Sequence, residues 1–175
     1  MKKKRWISIA LCIALTGCTP LTELMREDKM AFTPDLVPSF FQETNMENVV
    51  WKESSTFHYD GENVTGTKGK GGVVATEWES GVITKATWHF FGERIPTGPF
   101  SIMAVKKGTT EPIQAIVLQD EATKVWSTTP ITMDNVDYAE HGQLAVNMML
   151  PSSGMWVLNA YIGEVLTEQI IIHVK

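Results

Sequence analysis

Cysteine is scarce in this sequence. Its only two cysteines, Cys12 and Cys18, both lie within the first 18 residues. The chain beyond Cys18 therefore has no thiol with which to form a disulfide, bind a metal through sulfur or act as a nucleophile. A fold built from that part of the chain must be held by its packed core.

Long apolar runs are also missing. The run Trp6–Leu15 has ten residues, about half of the roughly 20 that a helix needs to span a bilayer. It follows a basic head, Lys2–Arg5, and leads into Leu15-Thr16-Gly17-Cys18. A basic head, a short apolar middle and small residues at the exit are typical of a secretory signal.

The exit of this signal resembles the bacterial lipobox rather than an Ala-x-Ala site. In such signals the cysteine thiol takes a diacylglyceryl group and the chain is cut just before it. We therefore predict a lipoprotein signal peptide over 1–17, lipid (palmitate-type acyl) attachment at Cys18, and a location on the outer face of the cell membrane. Two or more acyl chains hold a protein stably on a membrane. The alternatives are an ordinary signal peptide with a chance cysteine, or a signal anchor.

Positive charge is scarce after the signal. Of the 15 Lys and Arg, four belong to the basic head, so the remaining 158 residues carry a net charge of −9 against their 20 Asp and Glu. This charge argues against nucleic acid as a partner and against electrostatic docking on anionic lipid. The remaining length suits one domain with a sizeable core.

Helical periodicity is absent beyond the signal, apart from a turn or two near Leu21–Met25. Residues 18–47 mix charges with prolines and predict a tether, although Phe40 and Phe41 indicate that folding begins near them. Residues 48–175 contain eight to ten short β-rich runs separated by turn residues. This pattern predicts an all-β fold, an immunoglobulin-like β-sandwich over 48–175.

The last two runs show the strand pattern best. Alternation places Trp156, Leu158, Ala160 and Ile162 on one face of the first run, and Ile170, Ile172 and Val174 on the inner face of the second. Leu150–Gly154 predicts a corner before them, and Asp60-Gly61 predicts a tight turn much earlier.

Recognisable catalytic motifs are missing. The chain has no GxSxG. Gly66–Gly72 lacks the Gly-Lys-Ser/Thr order of a phosphate loop and precedes a strand, so it predicts a mobile β-hairpin or the entry to a strand. Two carboxylate pairs, Glu77 with Glu79 and Asp134 with Asp137, have the composition for glycosidic acid–base chemistry. Solvated charge explains both pairs more simply. We expect no catalytic role and no cofactor, with a cell-envelope hydrolase as the alternative.

Metal-binding motifs are missing as well. The four histidines, His58, His89, His141 and His173, form no close pair in sequence, so a metal site would have to be assembled across strands. Copper also binds methionine, and the later half of the chain contains Met103, Met133, Met148, Met149 and Met155. Core packing explains these methionines equally well. We predict no metal, and copper handling is the third interpretation; histidines within coordination range of one another would favour it.

The aromatic segment Trp88–Gly92 is the best candidate for binding. Strand alternation puts Trp88 and Phe90 on one face and His89 and Phe91 on the other. One pair belongs to the core, and an exposed second pair would form a patch of the kind that binds partners. The predicted ligand-facing patch consists of His89, Phe91, Arg94 and His141. The alternative is a central strand covered on both faces.

These segments together resemble the uncharacterised YhfM-type lipoproteins of Gram-positive bacteria. The likeness is carried by the glycine-rich run 66–72, by Trp88–Gly92 and by Leu150–Tyr161, and it covers most of residues 50–175. Those lipoproteins usually have tryptophan where this chain has Phe91. They also have an Ala-His pair near the position of Ala139-Glu140-His141, a loose match. The resemblance implies an immunoglobulin-like sandwich on the outer face of the membrane, and it implies no known activity.

The sequence therefore predicts a lipid-anchored extracytoplasmic lipoprotein that acts as a non-catalytic binding or accessory module at the cell surface. Its expected partners are the membrane, through the lipid, and a cell-envelope protein or glycan.

Overall fold

The regular secondary structure of the described residues is almost all β-strand. The computed structural model describes residues 36–41, 46–131, 136–137 and 141–175. In this part of the chain it shows thirteen strands and no helix that is long and apolar enough to cross a membrane. Nine strands have four residues or more, in agreement with the eight to ten that were predicted. In chain order the strands are β1 (Thr56–Tyr59), β2 (Glu62–Thr67), β3 (Gly71–Val74), β4 (Thr84–Phe91), β5 (Gly98–Lys106), β6 (Ile113–Gln114), β7 (Ile116–Val117), β8 (Lys124–Val125), β9 (Ser127–Ile131), β10 (Val136–Asp137), β11 (His141–Met148), β12 (Gly154–Ile162) and β13 (Val165–Val174).

The strands form two antiparallel sheets. Sheet A has the order β1-β2-β3-β4-β11-β7-β8, with β10 also paired to β11. Sheet B has the order β13-β12-β5-β6, with β9 also paired to β5. The predicted corner Leu150–Gly154 connects β11 in sheet A to β12 in sheet B. Gly154 has a φ of +116° there, which favours glycine.

The core lies between the two sheets and follows the alternation along the strands. Sheet B contributes the inward sets that the sequence predicts for β12 and β13, and sheet A contributes Val73, Ala86, Trp88, Phe90, Val146 and Met148. Trp88 is fully buried and Phe90 is 2% exposed. These contacts confirm the all-β sandwich.

An N-terminal strap, residues 40–41 and 46–54, covers the outer face of sheet B. Phe40 and Phe41 pack on one buried cluster, and Phe41 reaches a second. The buried residues beneath the strap are Met103, Val105, Trp126, Val157, Tyr161 and Ile171. Phe40 and Phe41, which lie within the range expected to act as a tether, therefore pack against sheet B.

The strap ends beside β13. The backbone N–H of Ser54 donates to the carbonyl oxygen of Ile171 at 2.9 Å, and the N–H of Ile171 donates to Ser54 Oγ at 2.9 Å. Two hydrogen bonds therefore hold the end of the strap against the outer edge of sheet B.

The β1–β2 hairpin folds back over sheet A. Its turn residues Asp60 and Gly61 have φ values of +46° and +82°, as a two-residue type I′ turn requires. Between β1 and β11 lie three strands, so a flat sheet would separate them by about 19 Å. The ring centroids of Tyr59 and His141 nevertheless lie 4.9 Å apart. The hairpin must therefore lie against the outer face of β4 and β11.

Close backbone contact permits this fold-back. A Cβ on Gly66 would lie 2.4 Å from the carbonyl oxygen of Gly71 and 2.5 Å from Cα of Gly72. Only glycine fits at position 66, where β2 lies close against the backbone of β3. The glycine-rich run thus forms the predicted hairpin and also allows β1 and β2 to bend over the sheet.

Candidate functional site

Five rings meet on the outer face of sheet A, and we call them the ring cluster: Phe57, Tyr59, His89, Phe91 and His141. In β4 the core takes Trp88 and Phe90, so His89 and Phe91 point outward. The β4–β11 register pairs His141 with Phe91. The β1–β2 hairpin adds Phe57 and Tyr59 from above. Three of the four predicted patch residues, His89, Phe91 and His141, are thus brought together.

The two histidines of the cluster contact each other directly. Nδ1 of His89 lies 3.0 Å from Nε2 of His141. Their ring planes differ by 17° and their centroids are 5.3 Å apart. A centroid separation this much larger than the nitrogen separation means that the two nitrogens face each other nearly in line. One ring therefore donates an N–H and the other accepts it.

Glu62 approaches His89 from the opposite side. Its Oε2 lies 3.4 Å from Nε2 of His89, a nitrogen that is buried and makes no hydrogen bond. The tight turn after Tyr59 sets the position of this carboxylate, because the hairpin register pairs Tyr59 with Glu62. The order of groups is thus Glu62 carboxylate, His89 and then His141.

Burial controls the protonation of His89, which is 2% exposed. Loss of hydration is the main cause that lowers the pKa of His89 below its ordinary value, and the neighbouring His141 lowers it further. Glu62 and Asp60 oppose this shift by attracting a positive charge. The neutral imidazole is the favoured form of His89 at neutral pH.

The aromatic rings surround this pair. The centroid of Tyr59 lies 4.8 Å from that of Phe91 and 5.9 Å from that of His89, and Phe57 lies 6.1 Å from Phe91. Phe57, Tyr59, Phe91 and His141 are half-buried, whereas His89 lies beneath them. The cluster thus presents aromatic surface and one imidazole to solvent.

Arg94, the fourth predicted patch residue, lines a small neighbouring cavity of about 140 Å³. Phe91 belongs to the ring cluster and also lines this cavity. The other residues that line the cavity are Lys70, Phe90, Ile95, Pro96 and Thr167. The side chains of Lys70 and Arg94 give this cavity a positive rim beside the rings.

The other candidate residues lie apart from the ring cluster. Glu77 is exposed and pairs with Lys175 at 3.0 Å, and Glu79 is also exposed. His58 contacts Asn63 at 3.3 Å on the hairpin surface, and His173 is exposed on β13. Met103 and Met148 are fully buried. Within the described ranges no three His, Cys, Asp or Glu converge as a metal site. Cys18, Met133 and Asp134 lie outside those ranges, and only the backbone of Asp137 is described.

A buried carboxyl group, Glu168, was not predicted. Its Oε1 accepts hydrogen bonds from Thr67 Oγ1 and from the N–H of Gln169, both at 3.1 Å, whereas Oε2 is buried without a hydrogen bond. Burial raises the pKa of Glu168, and Lys70 opposes the shift. Strand alternation places Ile170 on the inner face of β13 and places Glu168 on the same face. The burial of Glu168 could therefore have been predicted from the sequence.

Sequence analysis also missed Phe57, Tyr59 and Glu62. The Asp60-Gly61 turn could have indicated part of this arrangement, because a two-residue turn places Tyr59 opposite Glu62. Nothing in the strand pattern shows that this hairpin folds back onto β4.

Comparison with known proteins gives a family and a fold. Residues 40–172 match the family described as Domain of unknown function (DUF4871). The structure is similar to the crystal structure of a "Putative Lipoprotein" from Bacillus anthracis, with a TM-score of 0.72 and 28% sequence identity, covering 80% of this chain and 97% of that chain. No curated protein matches the chain significantly. The chain belongs to the DUF4871 family.

Proposed function

We propose that this member of the DUF4871 family is a lipid-anchored extracytoplasmic module that binds a cell-envelope ligand through the ring cluster and has no catalytic role. The similarity to a Bacillus anthracis protein named as a lipoprotein supports the location. The sequence Leu15–Cys18 supports the lipid attachment at Cys18. Within DUF4871, we group the chain with the YhfM-type lipoproteins because of the glycine-rich run 66–72, Trp88–Gly92 and Leu150–Tyr161.

The ring cluster is the observation that carries the binding role. Four of its five rings are half-buried on an outer sheet face, where solvent reaches part of each ring. Aromatic faces give contact area at low conformational cost, and an imidazole adds a hydrogen-bonding edge. Sugar rings and peptide side chains of the envelope both suit such a surface.

A hydrolase has less support. A glycosidase uses two carboxyl groups that flank one bond. Glu77 is ion-paired with Lys175 in solvent, while the buried Glu168 is hydrogen-bonded to Thr67 and to the backbone of Gln169. These carboxyl groups lie in separate surroundings, and neither belongs to the ring cluster.

Co-sedimentation with isolated bacterial cell envelopes tests the binding role. The full chain, purified in detergent, should sediment with the envelopes. Phe91→Ala and Tyr59→Ala should lower the bound fraction several-fold, because both remove half-exposed rings from the cluster. Val50→Ala is the matched control, since Val50 is a 77% exposed apolar residue in the strap. Wild-type protein that stays in the supernatant while it releases soluble sugars or peptides from the envelopes would contradict the proposal.

The anchor is tested separately in cells. Cys18→Ala should leave the precursor unprocessed or release the protein from the membrane, because the thiol is the point of lipid attachment. Continued processing and membrane retention in this variant would contradict the lipid anchor.

A further inference from the structure

The small cavity beside the ring cluster has a charge that the rings do not explain. Two of the residues that line it, Lys70 and Arg94, are basic and exposed. No acidic side chain is found among the described residues that line it. Neither cation forms an ion pair with a residue of the described ranges. Two cations without ion pairs thus converge on one small space, in a chain with 20 acidic and 15 basic residues.

Phe91 connects this cavity to the ring cluster, because its side chain belongs to both. The N–H of Phe91 donates to the carbonyl oxygen of Lys70 at 2.9 Å, which holds one basic residue next to the ring. Arg94 follows Phe91 by three positions, and Ile95 packs against the core directly after it. The fold therefore fixes the backbone of both basic residues beside the same aromatic ring.

We propose that the ligand of the ring cluster is an acidic glycan, with a sugar ring packed on Phe91 and a carboxylate or phosphate group in the cavity between Lys70 and Arg94. Lysine and arginine form strong, charge-assisted hydrogen bonds with both groups. The cavity has a volume of about 140 Å³, whereas a pocket that encloses a small-molecule ligand has about 300–1,000 Å³. It therefore takes one anionic group rather than a whole sugar. This inference rests on the binding function proposed above.

The neighbouring acidic groups leave the charge of the cavity largely in place. Glu62 and Asp60 act on His89, which does not line the cavity. Glu168 interacts with Lys70, but burial raises the pKa of this carboxyl group and so disfavours its charged form. Glu168 therefore offsets the charge of Lys70 only in part. An oxyanion is attracted to the cavity and repelled from the end of the cluster at Glu62.

A glycan suits this surface better than an extended acidic peptide does. The half-buried rings of Tyr59 and Phe91 offer apolar faces to the C–H groups of a sugar, and the Tyr59 hydroxyl both donates and accepts hydrogen bonds. An extended peptide commonly binds by adding a strand to an open sheet edge. Phe91 lies on β4, which is paired with β3 on one side and β11 on the other, so no strand can add there.

Biolayer interferometry on immobilised polysaccharides tests this inference, with the full chain in a non-ionic detergent. Polygalacturonic acid supplies carboxylates and is compared with its methyl ester, whereas phosphorylated mannan supplies phosphates and is compared with unphosphorylated mannan. We expect about tenfold tighter binding of at least one charged polymer than of its uncharged counterpart. Added salt should reduce this difference, because salt screens exposed charges. The two comparisons show which anionic group the cavity prefers.

Lys70→Gln and Arg94→Gln should each weaken binding of the charged polymer several-fold, because each removes one of the two cations. Lys68→Gln is the matched control and should leave the affinity unchanged, since Lys68 is an exposed lysine of the same hairpin that does not line the cavity.

Equal affinity for charged and uncharged polymers, unchanged affinity in both cavity variants, or equally tight binding of poly-glutamic acid would overturn the acidic glycan. If the wild type sediments with cell envelopes but binds neither charged polymer, this inference fails and the proposed function stands. If the wild type also fails to sediment with envelopes, both fail.

Discussion

The outer face of sheet B lies under an apolar strap, whereas the outer face of sheet A lies under a hairpin that contributes rings and a carboxylate to an imidazole pair. Beneath the strap, Val105, Val157 and Tyr161 are almost fully buried. Asn159 there is hydrogen-bonded, since its Nδ2 donates to the carbonyl oxygen of Met103 at 3.2 Å and its Oδ1 accepts from Gln169 at 2.7 Å, whereas Nε1 of Trp126 is buried without a hydrogen bond.

The hairpin that covers sheet A lies over polar groups as well as rings. His89 is as inaccessible as a core residue, yet its imidazole lies between the Glu62 carboxylate and the ring of His141. The residues beneath the strap are mostly apolar, so this buried polar group departs from the packing seen there. Departures of this kind are expected at functional sites.

The largest effect should come from placing a charge under the strap. Val157→Asp puts a carboxylate at a fully buried position of sheet B, and we expect it to lower the free energy of unfolding by about 3–5 kcal/mol. Thr87→Asp is the matched change on the outer face of sheet A, where the residue is half-buried, and it should cost much less. Urea denaturation measures both. Similar losses of unfolding free energy in the two variants would show that solvent is excluded equally from both outer faces.

The next effect concerns the fold-back of the hairpin. Gly66→Ala introduces a Cβ that overlaps the backbone of Gly71 and Gly72, and we expect a loss of about 2–3 kcal/mol. Gly69→Ala is the control, because Gly69 also has a positive φ but has open space around it. That change should cost only about 1 kcal/mol. Thermal melts of both variants check the difference, and equal losses would rule out steric contact as the cause.

A smaller effect should show whether the strap and the β1–β2 hairpin each unfold together with the rest of the domain. Phe41→Ala removes a half-buried ring that packs on both clusters of sheet B, and we expect it to destabilise the whole domain by about 1–2 kcal/mol. Phe57→Ala on the hairpin should mainly speed amide hydrogen exchange within β1 and β2. Exchange that rises globally in Phe57→Ala would mean that the hairpin is as integral to the fold as the strap.

The smallest effect is a pH dependence specific to sheet A. The pKa of His89 lies below its ordinary 6.5, mainly because of burial. The folded protein therefore binds this proton more weakly than the unfolded chain does. The stability from neutral His89 is complete above pH 6.5 and declines as the pH falls towards the lowered pKa. Urea midpoints between pH 5 and 7.5 should fall less steeply in His89→Gln than in the wild type. Identical slopes would exclude His89 as the source.

Local pattern predicted much of the sandwich. Alternation in β12 and β13 identified the inward residues correctly, and the turn at Asp60-Gly61 lies where its sequence placed it. The same alternation separated His89 and Phe91 from the core side of β4. Such predictions succeed because each strand has one face that must be buried.

The rest of the site depends on contacts between distant parts of the chain. His141 meets His89 through the pairing of β4 with β11. Tyr59 and Glu62 reach the pair because a hairpin bends at glycines whose role is visible only beside Gly71 and Gly72. A sequence pattern gives the faces of a strand, but it does not give the partner strand or a bend out of the sheet.

The two hydrogen bonds between Ser54 and Ile171 have a consequence for neighbouring molecules. β13 is the terminal strand of sheet B, and an open terminal strand offers its free N–H and C=O groups to another copy of the chain. Ser54 takes the N–H and the carbonyl of Ile171 midway along that strand. By occupying both groups of Ile171, Ser54 leaves fewer free backbone groups on this edge for pairing with another strand.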